Sequence, residues 1–287
     1  MVELELYDNR ITKIENLEPL TNLVILDLAF NAIKEITPGS LDSLVNVKKM
    51  FLSANKIKKI QGLDKLSSIE CLDLGDNKIR KIENLEALTT LKELHLAKNK
   101  IQVIENIGHL KNLYMLTLQA NFIEEITGLE ELVGLEQIYF QQNKIKKISG
   151  LTTLHKVEII DLAINEIKVI EGLEGQADVL DELWINNNEI SEWSSLEYLG
   201  ETMKVLNNIY FACNPLHARG QEFKDKLRKT VPCLKELEGC PFDRAPYLIS
   251  QPDNVPGIVK KGINPKAKAI LEDILGKTEA EEYEKNK

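Results

Sequence analysis

Ten side chains recur at one place along this sequence and are the first to inspect for chemistry: Glu5, Asp27, Phe51, Asp73, His95, Thr117, Tyr139, Asp161, Trp184 and Tyr210. Four are carboxylates, four are aromatic rings, one is an imidazole and one a hydroxyl. That mixture suits recognition better than bond-breaking. Aromatic rings on an open face act as interface anchors, and carboxylates steer a basic partner surface. General acid–base chemistry would need two carboxylates side by side, whereas Asp27, Asp73 and Asp161 share a column but are separated by other repeats. The histidines His95, His109, His155 and His217 lie in separate repeats without metal-ligand spacing. No H-E-x-x-H, phosphate loop, G-x-S-x-G or paired-cysteine motif is present. Neither an enzyme, a cofactor nor a metal site is expected.

The elements that position these side chains follow from one phrase. LVILDLAFNAI, VKKMFLSANKI, IECLDLGDNKI, LKELHLAKNKI, LYMLTLQANFI, LEQIYFQQNKI, VEIIDLAINEI, LDELWINNNEI and LNNIYFACNPL follow one another, and the opening segment has the same form. Each copy ends near an asparagine: Asn9, Asn31, Asn55, Asn77, Asn99, Asn121, Asn143, Asn165, Asn188 and Asn214. The spacing is 22 residues in six of nine steps, and 24, 23 and 26 in the others. This is the leucine-rich-repeat template L-x-x-L-x-L-x-x-N-x-L. Apolar residues at the first, fourth and sixth positions point into a core from a short strand. The asparagine amide satisfies backbone groups that would otherwise cost roughly 1–3 kcal/mol each. The outer apolar series, such as Ile79, Ile82, Leu85 and Leu88, closes the core over a span too short for a full helix. The predicted fold is therefore an α/β solenoid: a right-handed horseshoe with one short parallel strand per repeat and a 3₁₀ or irregular convex side. A single repeat cannot bury its own apolar face, so stability is a sum over stacked neighbours.

Ten repeats are expected over residues 1–214. Thr37-Pro38-Gly39-Ser40 carries the two extra residues of the second repeat, as a surface loop. Met1 falls at the first position of a repeat with no capping segment before it, so either the chain is truncated or its first repeat is poorly covered. Residues 215–242 form the C-terminal cap, with Phe223, Leu227, Val231, Leu234 and Leu237 on a short helix and a final turn. Pro246, Pro252, Pro256 and Gly257 mark an extended linker over 243–264. Asn264-Pro265 opens an amphipathic helix with a charged tail, over 265–287.

Formal net charge is −9, from 36 basic and 45 acidic residues, which disfavours general nucleic-acid binding. The four cysteines, Cys71, Cys213, Cys233 and Cys240, form no C-x-x-C pair and bracket no repeat. A reducing compartment, cytoplasm or nucleus, is expected. The N-terminus has no signal-peptide character, and no apolar run approaches membrane-spanning length.

The fifth position of each repeat faces the concavity, where Phe51, Tyr139, Trp184 and Tyr210 are expected to be exposed. Glu3, Asp8, Asp76, Glu93 and Glu182 join the acids there, against only Lys49 and Lys98. Basic residues such as Arg10, Lys34, Lys56, Lys58, Lys78 and Arg80 follow the asparagines on one flank, where a solvated edge is the reading preferred over an RNA track. Trp193 takes the place held by Ile82, Ile104 and Ile126, either as an oversized core residue or turned to the rim.

The units of form NKIxKIENLExLxxL resemble the intracellular class of leucine-rich repeats. ELWINNNEISEWSSLEYL, NNIYFACNPL and the cap FKDKLRKTVPCLKELEG resemble the C-terminal third of the leucine-rich-repeat regulatory subunit of protein phosphatase 1 (the regulatory subunit 7 family). The resemblance covers roughly residues 1–239. It implies a chain that is monomeric when free and holds the phosphatase catalytic subunit on its concave face. The implied contacts are Asp27, Phe51, Asp73, Asp161, Trp193 and Tyr210. His95 stands where the family has an aromatic, Asp73 where it has Glu, and Ser191, next to Glu192, where it has an acid. Related repeats occur in cytoskeletal and axonemal adaptors and in a spliceosomal protein, which are the alternative functions.

Overall fold

A computed structural model describes residues 1–242; the linker, the second helix and the tail expected beyond them lie outside the described residues. Ten three-residue strands carry the repeats: β1 (Glu3–Glu5), β2 (Ile25–Asp27), β3 (Lys49–Phe51), β4 (Cys71–Asp73), β5 (Glu93–His95), β6 (Met115–Thr117), β7 (Gln137–Tyr139), β8 (Ile159–Asp161), β9 (Glu182–Trp184) and β10 (Asn208–Tyr210). Each pairs in parallel with the next, in strict chain order. The solenoid is the horseshoe that the phased asparagines predict.

The middle residue of each strand points inward, and from Leu26 to Ile209 every one is fully shielded from solvent. Leu4 in β1 is only half-buried. Outer-side residues such as Ile79, Ile82, Leu85 and Leu88 meet these from the opposite wall. Each buried Leu or Ile contributes about 1.5–3 kcal/mol.

The asparagines stitch turn to turn. The Asn99 Nδ2 amide is shared among the carbonyls of Leu74 (2.9 Å), Leu96 (3.2 Å) and Ala97 (3.2 Å), while its Oδ1 accepts from the Ile79 N–H at 2.9 Å. The same pattern runs from Asn31 to Asn188. The residue before each asparagine is left-handed in all ten repeats, from Asp8 (φ 54°) through Ile164 (φ 54°) to Cys213 (φ 59°). None of the ten is glycine, so each carries strain on the order of 1–2 kcal/mol. A backbone bond to the next turn offsets it, as from Ile164 N–H to the Asn186 carbonyl.

A second left-handed position lies seven residues after the asparagine, and there only Gly or Asn appears: Asn16, Gly62, Asn84, Asn106, Gly128, Gly150 and Gly172. A Cβ at Gly128 would stand 2.8 Å from the Ile104 carbonyl oxygen of the preceding turn. Asn106 instead donates its amide to the corresponding carbonyl, that of Ile82, at 2.8 Å.

Repeat nine departs from the pattern. It carries α1 (Ser194–Thr202) on its outer side, a full helix where only irregular turns are expected. The buried Ser195 hydroxyl accepts from Ile170 N–H at 3.1 Å, and the Tyr198 hydroxyl from Leu173 N–H at 2.7 Å. Both tie the helix to the previous turn. The cap follows as α2 (Gln221–Thr230), which buries Phe223 and Leu227. A hairpin of β11 (Glu236–Leu237) and β12 (Cys240–Pro241) completes it. β11 pairs in parallel with β10, and β12 turns back antiparallel. Glu238 and Gly239, both at positive φ, make the two-residue turn that such hairpins favour. The Glu238 carboxylate accepts from the Phe211 and Ala212 N–H groups, both at 2.7 Å. In every earlier repeat the N–H corresponding to Phe211 meets a carbonyl of the next turn, as Leu96 N–H meets Thr117.

Candidate functional site

The sheet aligns the ten recurring side chains into one ladder. Glu5 pairs in register with Asp27, Asp27 with Phe51, and so on through Asp73, His95, Thr117, Tyr139, Asp161 and Trp184 to Tyr210. The residue two before each of them on the same strand faces the same way, so Glu3, Lys49, Cys71, Glu93 and Glu182 form a second column.

Exposure along the ladder is uneven, and it corrects the expectation of four open aromatics. Phe51 is half-buried, but Tyr139, Trp184 and Tyr210 are each less than a tenth exposed. They shield one another. The Tyr139 and Trp184 rings meet edge to face at 6.3 Å, and Trp184 meets Tyr210 at 5.3 Å. Their polar tips are tied down too, with Tyr139 donating to the Gln137 amide oxygen at 3.0 Å and Trp184 Nε1–H to the Glu182 carboxylate at 3.1 Å. The cap hairpin covers the far end: a Cβ added at Gly239 would lie 2.5 Å from the Tyr210 hydroxyl oxygen.

The rings of Tyr139 and Trp184 meet across the rung that Asp161 occupies. Asp161 is buried, and its Oδ1 accepts from Ala163 N–H at 2.9 Å. Burial pushes its carboxyl up to about 7. Asp73 is also buried and also raised, chiefly by burial. Asp27, half-buried, is raised by burial and by the neighbouring charge of Glu5. Asp27 and Asp73 cap their own strand exits as Asp161 does, accepting from Ala29 and Gly75 N–H at 2.8 Å each. The column therefore carries less fixed negative charge at Asp161 than a count of its acids suggests. Of the acids assigned to this face, Glu3, Glu5 and Asp8, at the N-terminal end, are exposed.

Trp193 and Glu192 stand apart from the ladder. Trp193 immediately precedes α1, half-buried against the core. The Lys226 ammonium of α2 lies 4.9 Å from its ring centroid. Glu192 is exposed beside Ser191, whose hydroxyl donates to it at 3.1 Å. The fold joins eight predicted contacts (Asp27, Phe51, Asp73, His95, Tyr139, Asp161, Trp184 and Tyr210) into the ladder and leaves these two outside.

One constellation was missed by looking for ligands close in sequence. Cys71, Glu93 and His95 come from β4 and β5, and their donor atoms all lie within 4.8 Å of one another. Cys71 and Glu93 are direct register partners. His95 Nε2 lies 3.4 Å from Glu93 Oε2, and its Nδ1 lies 3.2 Å from Thr117 Oγ1. The Tyr114 hydroxyl donates to Glu93 Oε1. These contacts, the one from His95 foremost, hold the Glu93 carboxyl down to about 2. Burial and the charges of Glu93 and Asp73 push the Cys71 thiol up. The signal in sequence was Cys at the third position of one repeat, with Glu and His at the third and fifth of the next.

Leucine-rich-repeat family models match residues 21–79 and, as a two-copy form, 89–131. No curated protein matches the sequence. Among solved structures, a leucine-rich-repeat protein of Leptospira interrogans is similar with a TM-score of 0.71 and 24% identity, over 82% of this chain and 60% of its own. The chain thus spans less than two thirds of the length of that protein's chain. Internalin C2 of Listeria monocytogenes is similar with a TM-score of 0.55 and 28% identity, over 68% of this chain and 75% of its own. The leucine-rich-repeat ectodomain of a membrane receptor kinase of Arabidopsis thaliana, solved in complex with Casparian strip integrity factor 2, is similar with a TM-score of 0.59 and 20% identity, over 82% of this chain and 29% of its own. The protein has the leucine-rich-repeat fold, and no catalytic family is indicated. Among the described residues no helix is long and apolar enough to cross a membrane.

Proposed function

We propose that this protein is a non-catalytic scaffold that grips another protein along the inner face of its sheet. The observation that carries the reading is the continuous ladder from Glu5 to Tyr210, acidic and open at one end and a rigid aromatic wall at the other. Preorganised rings need little further ordering on binding, and exposed acids hasten encounter with a basic surface. The Arabidopsis ectodomain is an example of the fold in a complex. The partner we favour is the catalytic subunit of serine/threonine protein phosphatase 1, on the resemblance of repeat nine and the cap. The four free cysteines among the described residues suit a reducing cytoplasm or nucleus.

The test is titration calorimetry of the full chain with purified phosphatase 1 catalytic subunit. The expected result is one-to-one binding that Phe51→Ala weakens by roughly 30-fold, about 2 kcal/mol, while circular dichroism and Tm hold. No binding at micromolar concentrations sinks the choice of partner. Binding that is indifferent both to Phe51→Ala and to Asp27→Lys sinks the inner face as its site.

A further inference from the structure

We propose that Cys71, Glu93 and His95 hold a zinc ion on the inner face of the solenoid, between the fourth and fifth repeats. The three donors are a sulfur, a carboxylate oxygen and an imidazole nitrogen, mutually within 4.8 Å. Zinc takes this mixed set in four-coordinate sites, and three protein ligands leave one position for water. The proposal rests on these side chains alone and stands whichever partner the face binds.

The surroundings fit a metal ligand set better than an ordinary polar cluster. Metal-bound histidines have their second ring nitrogen fixed by a neighbour. Here Nδ1 faces the Thr117 hydroxyl at 3.2 Å, in a fully buried setting. With Nδ1–H donating to that hydroxyl, the Nε2 lone pair is left on the side of Glu93 and Cys71. Glu93 is oriented in the same way: Tyr114 donates to Oε1, leaving Oε2 on the histidine side. Cys71 is buried and is influenced by two acids, Asp73 and Glu93, and by the one ammonium of Lys49. A divalent cation resolves that concentration of negative groups. As the sulfur–zinc bond forms, the thiol proton leaves to solvent. Zn²⁺ with one thiolate, one carboxylate and a neutral imidazole is then uncharged overall, and nothing is oxidised or reduced.

A Cys–His–Glu set also invites comparison with a nucleophile and its base. One feature opposes this. An activated thiol needs a lowered pKa, whereas burial, joined by the charges of Glu93 and Asp73, pushes that of Cys71 up.

The experiment is Co²⁺ titration of the full chain, kept reduced with a phosphine, followed by Zn²⁺ competition. The expected result is a thiolate-to-cobalt charge-transfer band that saturates at one equivalent and is abolished by zinc, with zinc also raising Tm. Cys71→Ser should remove the band. His95→Gln and Glu93→Gln should each weaken binding at least tenfold. Thr117→Val, which touches no metal, should weaken it about 10- to 100-fold by freeing the imidazole. The combined Cys213→Ser, Cys233→Ser and Cys240→Ser variant should bind as the parent does. The site is overturned by absence of the band, by its survival in Cys71→Ser, or by its loss in the triple variant. Should Cys71→Ser unfold, the half-buried Glu93→Gln decides, since unchanged affinity there overturns the site as well.

Discussion

The two ends of the inner face are built from the same repeat and differ in what holds their side chains. From β1 to β3 the column presents Glu5, Asp27 and Phe51, which are exposed or half-buried. From β7 to β10 it presents Tyr139, Asp161, Trp184 and Tyr210, locked together ring on ring and roofed by the cap hairpin. One position of one template thus yields a surface free to meet a partner at one end and a satellite core at the other. What decides is side-chain reach. Rings two strands apart meet across a short Asp, while carboxylates on adjacent strands repel and stay in water.

The largest effect that would break this contrast is in stability. Trp184→Ala should cost about 3–5 kcal/mol in urea unfolding, the range for a buried aromatic, while Phe51→Ala should cost about 1 kcal/mol or less. Similar small losses at both sites would mean that the C-terminal rings are not a structural unit.

Next comes pH. The folded carboxyl of Asp161 titrates at about 7, above its ordinary value near 4. Its contribution to stability is therefore complete below about pH 4 and is lost as pH rises through 7, by up to about 4 kcal/mol. Glu238, also raised to about 7, adds in the same direction. Asp161→Asn should remove about half of that slope between pH 4 and 8 while keeping an acceptor for Ala163 N–H. Asp27→Asn should change it little. Equal slopes in parent and Asp161→Asn would contradict the burial argument.

Trp193→Ala sits between the two behaviours. Its ring is half-buried against the core and faced by Lys226, so a loss of about 1–2 kcal/mol is expected, with partner affinity nearly unchanged. Unaltered stability with binding abolished would restore Trp193 to the interface.

The smallest effect is kinetic. Replacing Glu3, Glu5 and Asp8 by their amides should slow association with a basic partner about tenfold at low salt and leave Tm in place. An on-rate indifferent to both the substitutions and ionic strength would remove electrostatic steering from the N-terminal end.

Much of the fold was legible because the asparagine ladder, the inward Leu and Ile, and the repeat length each encode the same parallel solenoid. The left-handed residue before each asparagine was not, because Phe30, Ile164 and Lys98 carry no preference for that conformation; the amide that follows them imposes it. The helix of repeat nine was hidden because its signal is a few added residues whose use depends on packing against α2. There Gly200 lies so close to the Thr230 carbonyl that no Cβ fits. Membership of the ladder was readable by counting, but burial within it was not: Asp161 is shielded by side chains 22 residues before it and 23 after. The Cys71–Glu93–His95 cluster escaped for the same reason, since Cys71 meets the other two donors only across strands.

Glu238 gives the end of the solenoid the character of a terminating unit on a growing polymer. Each repeat leaves a reactive valence, the strand-exit N–H that corresponds to Phe211, which in the earlier repeats another monomer of the same kind saturates. One carboxylate on a tight hairpin saturates it, and the Ala212 N–H beside it, without offering new ones in the same direction. Length is thus set by local end-group chemistry rather than by anything in the repeats. Grafting further 22-residue units in place of residues 236–242 should prolong the array, with the same carboxylate able to close it at any later turn.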